Sequence, residues 1–366
     1  MDILKTLLNE NQKLYDNQAY ENFWNWFIKN ESTFFETVKS RENIESDFFE
    51  LLSPELNKIN EGIYFLTGMF NENKAELILT PDGILKNFFF IEELIKKAPE
   101  LPNWKFTALK QPNEIDNIGI KMGDYTFDSE TLSFYPIEHP AYPDEVELVV
   151  VHNDFKEEDK RQIGNGTFIF LDNFLGELNS VTTIDYLTVT SKDKAEKELI
   201  PIEKLKDYLI WREKEFIEKY HGIRYNTEND NYSSLKATLE NGLPLIAIVN
   251  STLLNWDSKA SHPWILKITI KYDGSENNGF PEEDTYQLMD VFEDEINLEL
   301  KDFEGYLNIG RETADGERIV FFACNDFRKP SKVLNNLTKK FSDKLDVSYD
   351  IYKDKYWRSL EQYRPN

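Results

Sequence analysis

The sequence is poor in the residues on which many enzymes and secreted proteins depend. A single cysteine, Cys324, excludes a disulfide within the chain. The four histidines are scattered and form no His-Glu-x-x-His pair, so we expect no metal site. Glycine-rich phosphate loops are missing too, because Gly164-x-Gly166 lacks the third glycine of a dinucleotide motif. With no Gly-x-Ser-x-Gly turn either, we expect no cofactor, and the sequence identifies no catalytic residues.

Long apolar runs are also missing. The longest uncharged stretch, residues 241–256, contains Pro, Asn, Ser and Thr and is too short and polar to span a bilayer. The N-terminus has no basic region followed by a long apolar core, which argues against a signal peptide. We therefore expect a cytoplasmic protein with no membrane partner.

Positive charge is scarce. Lys and Arg number 42 against 67 Asp and Glu, which gives a formal net charge of −25 and a pI of about 4.6. Such a field repels nucleic-acid phosphates and anionic lipid, so we expect no direct nucleic-acid partner. Two interpretations remain open: a solvated acidic surface that keeps the protein soluble, or an acidic face that binds a basic protein partner. The oligomeric state is not indicated.

Apolar and aromatic residues are plentiful, at 40% and 14%, which is enough to build packed cores. A length of 366 residues favours two domains. We predict an N-terminal helical segment over residues 1–60 that packs on the first domain, and a first α+β domain over 61–225. A polar linker over 226–234 leads to a second α+β domain over 235–366.

Periodicity in the second half indicates strands and helices in the order β-β-α-β-β-α-β. Asp315-Gly316 is a typical hairpin turn between two alternating runs. The first half shows a similar order, although Gly164 and Gly166 predict a break in the helix before Phe168. We therefore predict an α+β fold with two ferredoxin-like mixed or antiparallel sheets, each with helices on one face. The two halves would be diverged copies of one plan.

An ordered set of residues in the second half carries a family resemblance. Its members are the run Ser261-His262-Pro263-Trp264, the turn Gly279-Phe280-Pro281, the hairpin between Arg311 and Phe322, and the closing Asp354-x-x-Trp357 with Tyr363-Arg364-Pro365. With these residues, the region from about Leu235 to Asn366 resembles the family catalogued as domain of unknown function 695.

The first half is similar to segments that precede this domain in Bacteroidetes-type bacterial proteins, for example in Leu171-Asp172-Asn173-x-Leu175-Gly176-Glu177. The family has no established activity, so the resemblance implies no catalytic residues. Some relatives resemble, or lie next to, a protein inhibitor of a nuclease. That likeness concerns the fold, and a fold alone does not determine function.

Five residues are weak binding candidates. His262 and Trp264 lie at a strand start, where a turn histidine and a core tryptophan are the simpler interpretations. Arg311 and Arg318 flank a hairpin in a very acidic protein; they would pair with local carboxylates, or else hold an anion or the C-terminus of a partner. Trp357 belongs to the closing motif.

These observations favour a protein that binds or regulates another protein through an acidic surface or a sheet edge. It would act as an inhibitor or as an immunity protein, and we expect it not to be an enzyme. The alternative is a hydrolase-type enzyme with a carboxylate-lined cleft between the two domains, in which Arg311 takes part.

Overall fold

The computed structural model describes residues 2–364, with side chains from residue 18 onward. It divides into two compact units. The first unit comprises Met1–Ile137 and Glu147–Lys206, and the second comprises Glu138–Val146 and Asp207–Asn366. The chain therefore contributes a short internal segment to the second unit before the first unit is complete. Residues 226–234, predicted as a linker, lie within the second unit.

The elements up to residue 220 alternate between helices and short strands. In chain order they are α1 (Asp2–Ser40), α2 (Glu50–Asn57), β1 (Tyr64–Asn71), β2 (Lys74–Thr80), α3 (Leu85–Lys96), β3 (Trp104–Ala108), β4 (Ile120–Met122), β5 (Tyr125–Phe127), β6 (Leu132–Ile137), β7 (Glu147–His152), α4 (Lys160–Leu175), α5 (Glu177–Thr183), β8 (Tyr186–Thr190), β9 (Ile200–Pro201) and α6 (Leu205–Tyr220). The predicted N-terminal helical segment is confirmed by α1 and α2.

The strands of the first unit belong to three sheets. One has the order β1-β2-β3, with a parallel pair between β2 and β3. A second has the order β8-β7-β6-β9, with a parallel pair between β7 and β8. The third is the β4–β5 hairpin. Aromatic residues of α1 pack on the first sheet, where the Phe27 ring meets Trp104 at 5.0 Å and the Trp24 ring meets Phe106 at 4.6 Å.

Helix α4 runs without a break through both of its glycines, so the predicted interruption before Phe168 is wrong. The reason lies in packing. A Cβ atom added to Gly166 would lie 2.2 Å from the ring of Phe127, whereas nothing lies within 4 Å of the corresponding position at Gly164. Gly166 therefore lets the helix approach β5 closely, and tertiary contact outweighs the low helix propensity of glycine.

The second unit is built on one antiparallel sheet of six strands with the order β10-β11-β13-β14-β12-β15. Its elements are β10 (Tyr232–Thr238), β11 (Pro244–Asn250), α7 (Ser251–Leu254), β12 (Trp264–Lys271), α8 (Glu283–Glu299), β13 (Tyr306–Ala314), β14 (Glu317–Cys324), α9 (Arg328–Phe341) and β15 (Asp346–Lys353). The predicted Asp315-Gly316 hairpin turn is present between β13 and β14.

The two faces of this sheet are covered by different elements. Helices α8 and α9 lie on one face, which we call the helix face, and they contact each other through Phe292 and Phe341. On the opposite face a core cluster joins Ile265 and Leu307 to α7 and to the C-terminal residues Trp357 and Leu360. The prediction of helices on one face only is therefore too simple for this sheet.

An α+β fold is confirmed, but the predicted pair of equivalent sheets is wrong. The described residues form four sheets, and the six-stranded antiparallel order of the second unit has no counterpart in the first unit. The prediction that the halves are copies of one plan is therefore wrong as well. The two units have similar orders of helices and strands, but their strands pair differently. The first unit contains two parallel pairs, β2 with β3 and β7 with β8, whereas the sheet of the second unit contains none.

Candidate functional site

Helix α8 carries a polar stripe beside its apolar stripe. The polar side chains recur at spacings of four, three and four residues, so they share one side of the helix. They are Tyr286, Asp290, Glu293 and Asn297. The apolar positions Met289, Phe292 and Ile296 are buried in the core. The polar stripe therefore lies along the border between the core and a groove on the helix face of the sheet.

A β-bulge in β13 turns two further polar residues toward that stripe. The β13–β14 register shifts between Asn308 and Gly310, so Ile309 is an extra residue. Leu307 and Ile309 contact the core of the opposite face. In a regular strand Arg311 would point the same way, but the extra residue reverses the alternation and directs Arg311 to the helix face. Gly310 has a φ of 142°, and a Cβ there would lie 2.3 Å from the Ile248 carbonyl oxygen.

Arg311 and Arg318, both predicted as binding candidates, are brought together around two carboxylates of α8. Arg311 Nη1 donates to Asp290 Oδ1 at 2.9 Å and to Glu293 Oε2 at 2.8 Å. Arg318 Nη1 donates to the same Asp290 oxygen at 3.0 Å and to Glu293 Oε1 at 2.9 Å. Each arginine thus bridges both carboxylates, as the first of their two predicted interpretations requires.

The network is electrically balanced, and its Arg318–Glu293 pair is buried, whereas the side chains of Arg311 and Asp290 are 22% and 41% exposed. The Arg318 side chain is 1% exposed and the Glu293 side chain 9%. Arg318 also donates to Thr313 Oγ1 at 3.3 Å and lies 4.5 Å from the centre of the Tyr286 ring. Removal of one partner from a buried pair typically costs about 3 to 5 kcal/mol, because the other charge stays buried without compensation. The geometry therefore favours a network that stabilises the fold and fixes the groove wall.

Arg311 is the member of this network that reaches the groove. Burial on its own would lower the pKa of Arg311, but the adjacent charges of Glu293 and Asp290 outweigh it, so the pKa is raised. Its Nη2 donates to the Tyr286 hydroxyl at 3.1 Å. Arg311 is consequently always charged and held in place, while its Nε has no hydrogen-bond partner within the described part of the chain.

A pocket of about 420 Å³ lies between α8 and strands β10, β11 and β13. Its apolar walls come from Tyr232, Ile248, Leu300 and Tyr306, and its polar lining includes Arg311. Pockets that bind small molecules typically span roughly 300 to 1,000 Å³ and combine apolar walls with a few polar groups. The size and composition of this pocket fit that description.

Strand β10 forms the edge of the sheet beside this pocket. Hydrogen bonds at the two ends of the β10–β11 pair, Leu239 N to Leu243 O and Ser251 N to Asn231 O, fix which residues bond to β11. Since bonded positions alternate in an antiparallel pair, the even-numbered residues direct their N–H and C=O groups away from the sheet. These are Tyr232, Ser234, Lys236 and Thr238, and their side chains are exposed.

Two other candidates, His262 and Trp357, meet on the opposite face of the sheet. Trp357 Nε1 donates to the His262 carbonyl oxygen at 2.9 Å, and both side chains are buried. His262 Nδ1 lies 2.8 Å from Ser261 Oγ, and burial lowers the pKa of His262 to about 4, with a smaller contribution from Arg224. Its Nε2 is buried without a partner among the described residues. His262 is therefore a neutral core histidine at physiological pH.

Trp264, the fifth candidate, lies in the core beside α9. It is 6% exposed, and its ring lies 5.0 Å from the ring of Phe327. The core interpretation thus fits its position, and Trp264 does not line the pocket beside α8. The structure places the five predicted residues in three separate regions, and one of the five, Arg311, lines the pocket beside α8.

The first unit contains a buried carboxylate that sequence reasoning missed. Glu177, fully buried, accepts hydrogen bonds from Thr80 Oγ1 at 2.7 Å and from the backbone N–H groups of Gly83 and Lys110. Thr80 and Lys110 lie where the parallel strands β2 and β3 end. All contacts to Glu177 satisfy local loop donors, so its geometry favours a structural role. In the sequence, Glu177 stands out only as the last residue of the run 171–177, directly after Gly176.

No cluster of three or more His, Cys, Asp or Glu side chains is arranged to hold a metal ion among the residues that the structure describes. Within residues 2–364, no helix has the length and apolar character that crossing a membrane requires.

Comparison with known proteins gives a family but no activity. Residues 232–363 match the model of a family of unknown function, DUF695. The match confirms the resemblance predicted from the sequence, with these bounds in place of 235–366. Residues before 232 lie outside it, and their predicted likeness stays a prediction. No curated protein and no solved structure matches the chain significantly.

Proposed function

We propose that this protein, whose residues 232–363 match a family of unknown function, is a cytoplasmic, non-enzymatic binding protein. In this proposal an extended, basic segment of a partner protein pairs with strand β10. The observation that carries the proposal is the exposed edge of β10, which offers backbone N–H and C=O groups next to a strongly acidic helix. Strand addition at such an edge is a common way to recognise extended peptides.

The two edges of the six-stranded sheet differ in charge. Strand β15 carries three charged residues among eight, namely Asp346, Asp350 and Lys353. Strand β10 carries one among seven, Lys236. Charged side chains on an edge strand discourage pairing with other chains. The charges of β15 therefore protect that edge, while β10 is left open for a partner.

The chemistry of the partner follows from the charge around β10. Helix α8, on the same face of the sheet as the outward side chains of β10, has seven acidic residues among 17 and no basic residue. The whole chain carries 67 acidic against 42 basic residues. A basic segment is attracted to this surface, and an acidic one is repelled. An inhibitor or immunity protein would use the same contacts to block a basic partner.

We also propose a finer description of the fold. Strands β12 to β15 with α8 and α9 follow the order βαββαβ, with the spatial order β15-β12-β14-β13. This order supports a ferredoxin-like core in the second unit, which β11 and β10 extend at one edge. The binding edge would then belong to the extension, so a partner would pair with strands that are additional to the core.

A short synthetic peptide that alternates lysine with valine or threonine tests the proposal by fluorescence anisotropy. The matched peptide has glutamate in place of lysine. We expect the basic peptide to bind and the acidic peptide to bind at least roughly tenfold more weakly, which corresponds to about 1.4 kcal/mol. Binding of the basic peptide should weaken as salt is added, because salt screens the attraction.

The variant Ser234→Pro separates strand pairing from charge attraction. Proline removes the outward N–H of residue 234 and is tolerated on edge strands. We expect Ser234→Pro to lose at least roughly tenfold in affinity for the basic peptide. The control Ser234→Ala keeps the N–H and should bind like the original protein. The melting temperature of each variant reports that the fold is retained.

Equal binding by Ser234→Pro and Ser234→Ala would overturn strand pairing at β10, and no preference for the basic peptide would overturn the partner chemistry. A dimer in solution that Ser234→Pro dissociates would contradict the proposal, since a second copy of the chain would then occupy the edge.

A further inference from the structure

The pocket between α8 and strands β10, β11 and β13 has charged groups that are used unequally. Four charged residues line it: Glu293, Lys301, Asp302 and Arg311. Their formal charges cancel, so the net charge of the lining does not indicate a ligand. The four charged groups differ in how far they are already bonded to other groups of the protein.

Both carboxylates of the lining are occupied. Glu293 accepts from Arg311 on one oxygen and from Arg318 on the other. Asp302 Oδ2 accepts from the backbone N–H of Thr227 at 2.9 Å and from the Thr227 hydroxyl at 2.8 Å, and its Oδ1 accepts from Phe303 N. Burial would raise the pKa of Asp302, but these hydrogen bonds outweigh it and lower the pKa. Both carboxylates of the lining are therefore already engaged by donors within the protein.

The cations are less completely used. Lys301 is half-buried, and its ammonium group has no hydrogen-bond or ion-pair partner among residues 18–364. Arg311 uses Nη1 and Nη2 but keeps its Nε donor. Lys301 therefore keeps its charge free for a ligand in a chain with 67 acidic residues. The donors that remain in the pocket therefore suit an anion.

The walls indicate that such an anion is organic. Tyr232, which is 55% exposed, presents an aromatic ring, and Ile248 adds aliphatic surface, while Tyr306 and Leu300 also line the pocket but are buried. A volume of about 420 Å³ is far larger than a single inorganic ion requires and lies within the range of small-molecule pockets. Aromatic side chains favour flat ligands, because stacked rings bury large areas at low conformational cost.

We infer that this pocket binds a small organic anion, whose carboxylate or phosphate group contacts Lys301 and Arg311 and whose planar body packs against Tyr232. The inference does not rest on strand pairing at β10, since its contacts are made by side chains inside the pocket. Arg311 is the second donor of the proposed site, and its contacts with Asp290 and Glu293 hold its side chain in one orientation.

Two pairs of probes test the inference by isothermal titration calorimetry on the full chain. Adenosine monophosphate is compared with adenosine, and benzoate with benzyl alcohol, so that each pair shares a planar body and differs in charge. We expect at least one anion to bind at least roughly tenfold more tightly than its neutral counterpart. The pair that responds distinguishes a phosphate from a carboxylate ligand. Inorganic phosphate is titrated separately.

The variant Lys301→Met locates the effect. It removes the unpaired ammonium group from the lining, and we expect it to lose at least roughly tenfold in affinity for the anion that binds. The control Lys271→Met removes the same charge from an exposed lysine of β12 in the same sheet and should bind like the original protein. Thermal melting checks that both variants are folded.

Three results would overturn the inference: equal affinity for charged and neutral probes, no effect of Lys301→Met, or no binding of either anion at millimolar concentration. Inorganic phosphate that binds as tightly as the organic anions would overturn the organic class. None of these results bears on the peptide assay with Ser234→Pro, so the two proposals fail independently.

Discussion

His262 shows how a residue can look catalytic in a sequence and be part of the core in the structure. A histidine before proline at a strand start suggests either a turn or a base. The structure places it in the interior beside Trp357, with no access for a substrate among the described residues. The pKa of His262 is low mainly because burial disfavours the charged ring. The low pKa therefore reflects the packing of the core and is no sign of a catalytic role.

The pKa of His262 predicts a pH dependence of stability. It is 6.5 in the unfolded chain and about 4 in the folded protein, so the unfolded state takes up a proton first as the pH falls. The free energy of unfolding should therefore fall between pH 6.5 and about 4, by at most about 1.4 kcal/mol per pH unit. The contribution is fully present above pH 6.5.

Urea unfolding of the original protein and of His262→Gln, measured across this range, isolates the effect. Glutamine does not titrate, so the difference in unfolding free energy between the two proteins should change with pH. A difference that stays constant from pH 7 to 4.5 would contradict the low pKa of His262.

The arginine pair shows what the sequence could and could not indicate about single residues. Pairing with local carboxylates was predicted for Arg311 and Arg318, and the contacts fit it. The partners Asp290 and Glu293 could not be named, because they are two of 67 acidic residues. Their spacing on α8 becomes informative only once the direction of Arg311 is known, and the bulge that sets this direction has no clear sequence signature.

At the scale of elements, helix α4 contains a matched pair of glycines with opposite expected effects. Gly164→Ala should stabilise the protein by about 0.5 to 1 kcal/mol, because alanine is the better helix former and nothing lies within 4 Å of its new methyl group. Gly166→Ala should destabilise it by roughly 1 to 3 kcal/mol, since its methyl group would overlap the Phe127 ring at 2.2 Å. Thermal and urea unfolding measure both changes.

The double variant Gly166→Ala with Phe127→Leu provides the check on this pair. If the clash with the ring is the cause, the alanine should cost less when the ring is absent. Stabilisation by Gly166→Ala alone would show that α4 and β5 are not in close contact.

Individual elements were easier to predict than their pairing. Strong local signals such as Asp315-Gly316 and the amphipathic patterns of α8 and α9 gave correct elements, because turn chemistry and periodicity act within a few residues. Two of the three sheets of the first unit each contain a parallel pair, β2 with β3 and β7 with β8. Such pairs join strands that are distant along the chain, and no local pattern encodes them.

At the scale of the molecule, Asp144 is one of several residues that attach the segment Glu138–Val146 to the rest of the second unit, beside Pro143 and Glu145, which bond to Arg212 and Arg358. Asp144 accepts hydrogen bonds from the hydroxyls of Tyr220 at 2.7 Å and Tyr356 at 2.6 Å, and Lys219 Nζ lies 3.0 Å away. Burial would raise the pKa of Asp144, but these contacts outweigh it and lower the pKa. The second unit thus includes a segment that precedes the family match by about ninety residues, which no reading of local patterns anticipated.

The variant Asp144→Ala tests this attachment in the full chain. We expect faster hydrogen exchange of the amides in residues 138–146, and a loss of roughly 1 to 3 kcal/mol in stability, because buried donors lose their acceptor. Asp343→Ala removes an exposed aspartate from the same unit and should leave the exchange unchanged. Unaltered exchange in Asp144→Ala would show that other contacts hold the segment.

The attachment of Asp144 also imposes an order of events during protein synthesis. Asp144 leaves the ribosome 212 residues before Tyr356. At 5 to 20 residues per second, that interval lasts roughly 10 to 40 s. During this time Tyr220, which follows Asp144 by 76 residues, can already bond to it, but the contact with Tyr356 must wait until almost the whole chain has been made. The rate at which this protein reaches its native state should therefore depend on the rate of translation.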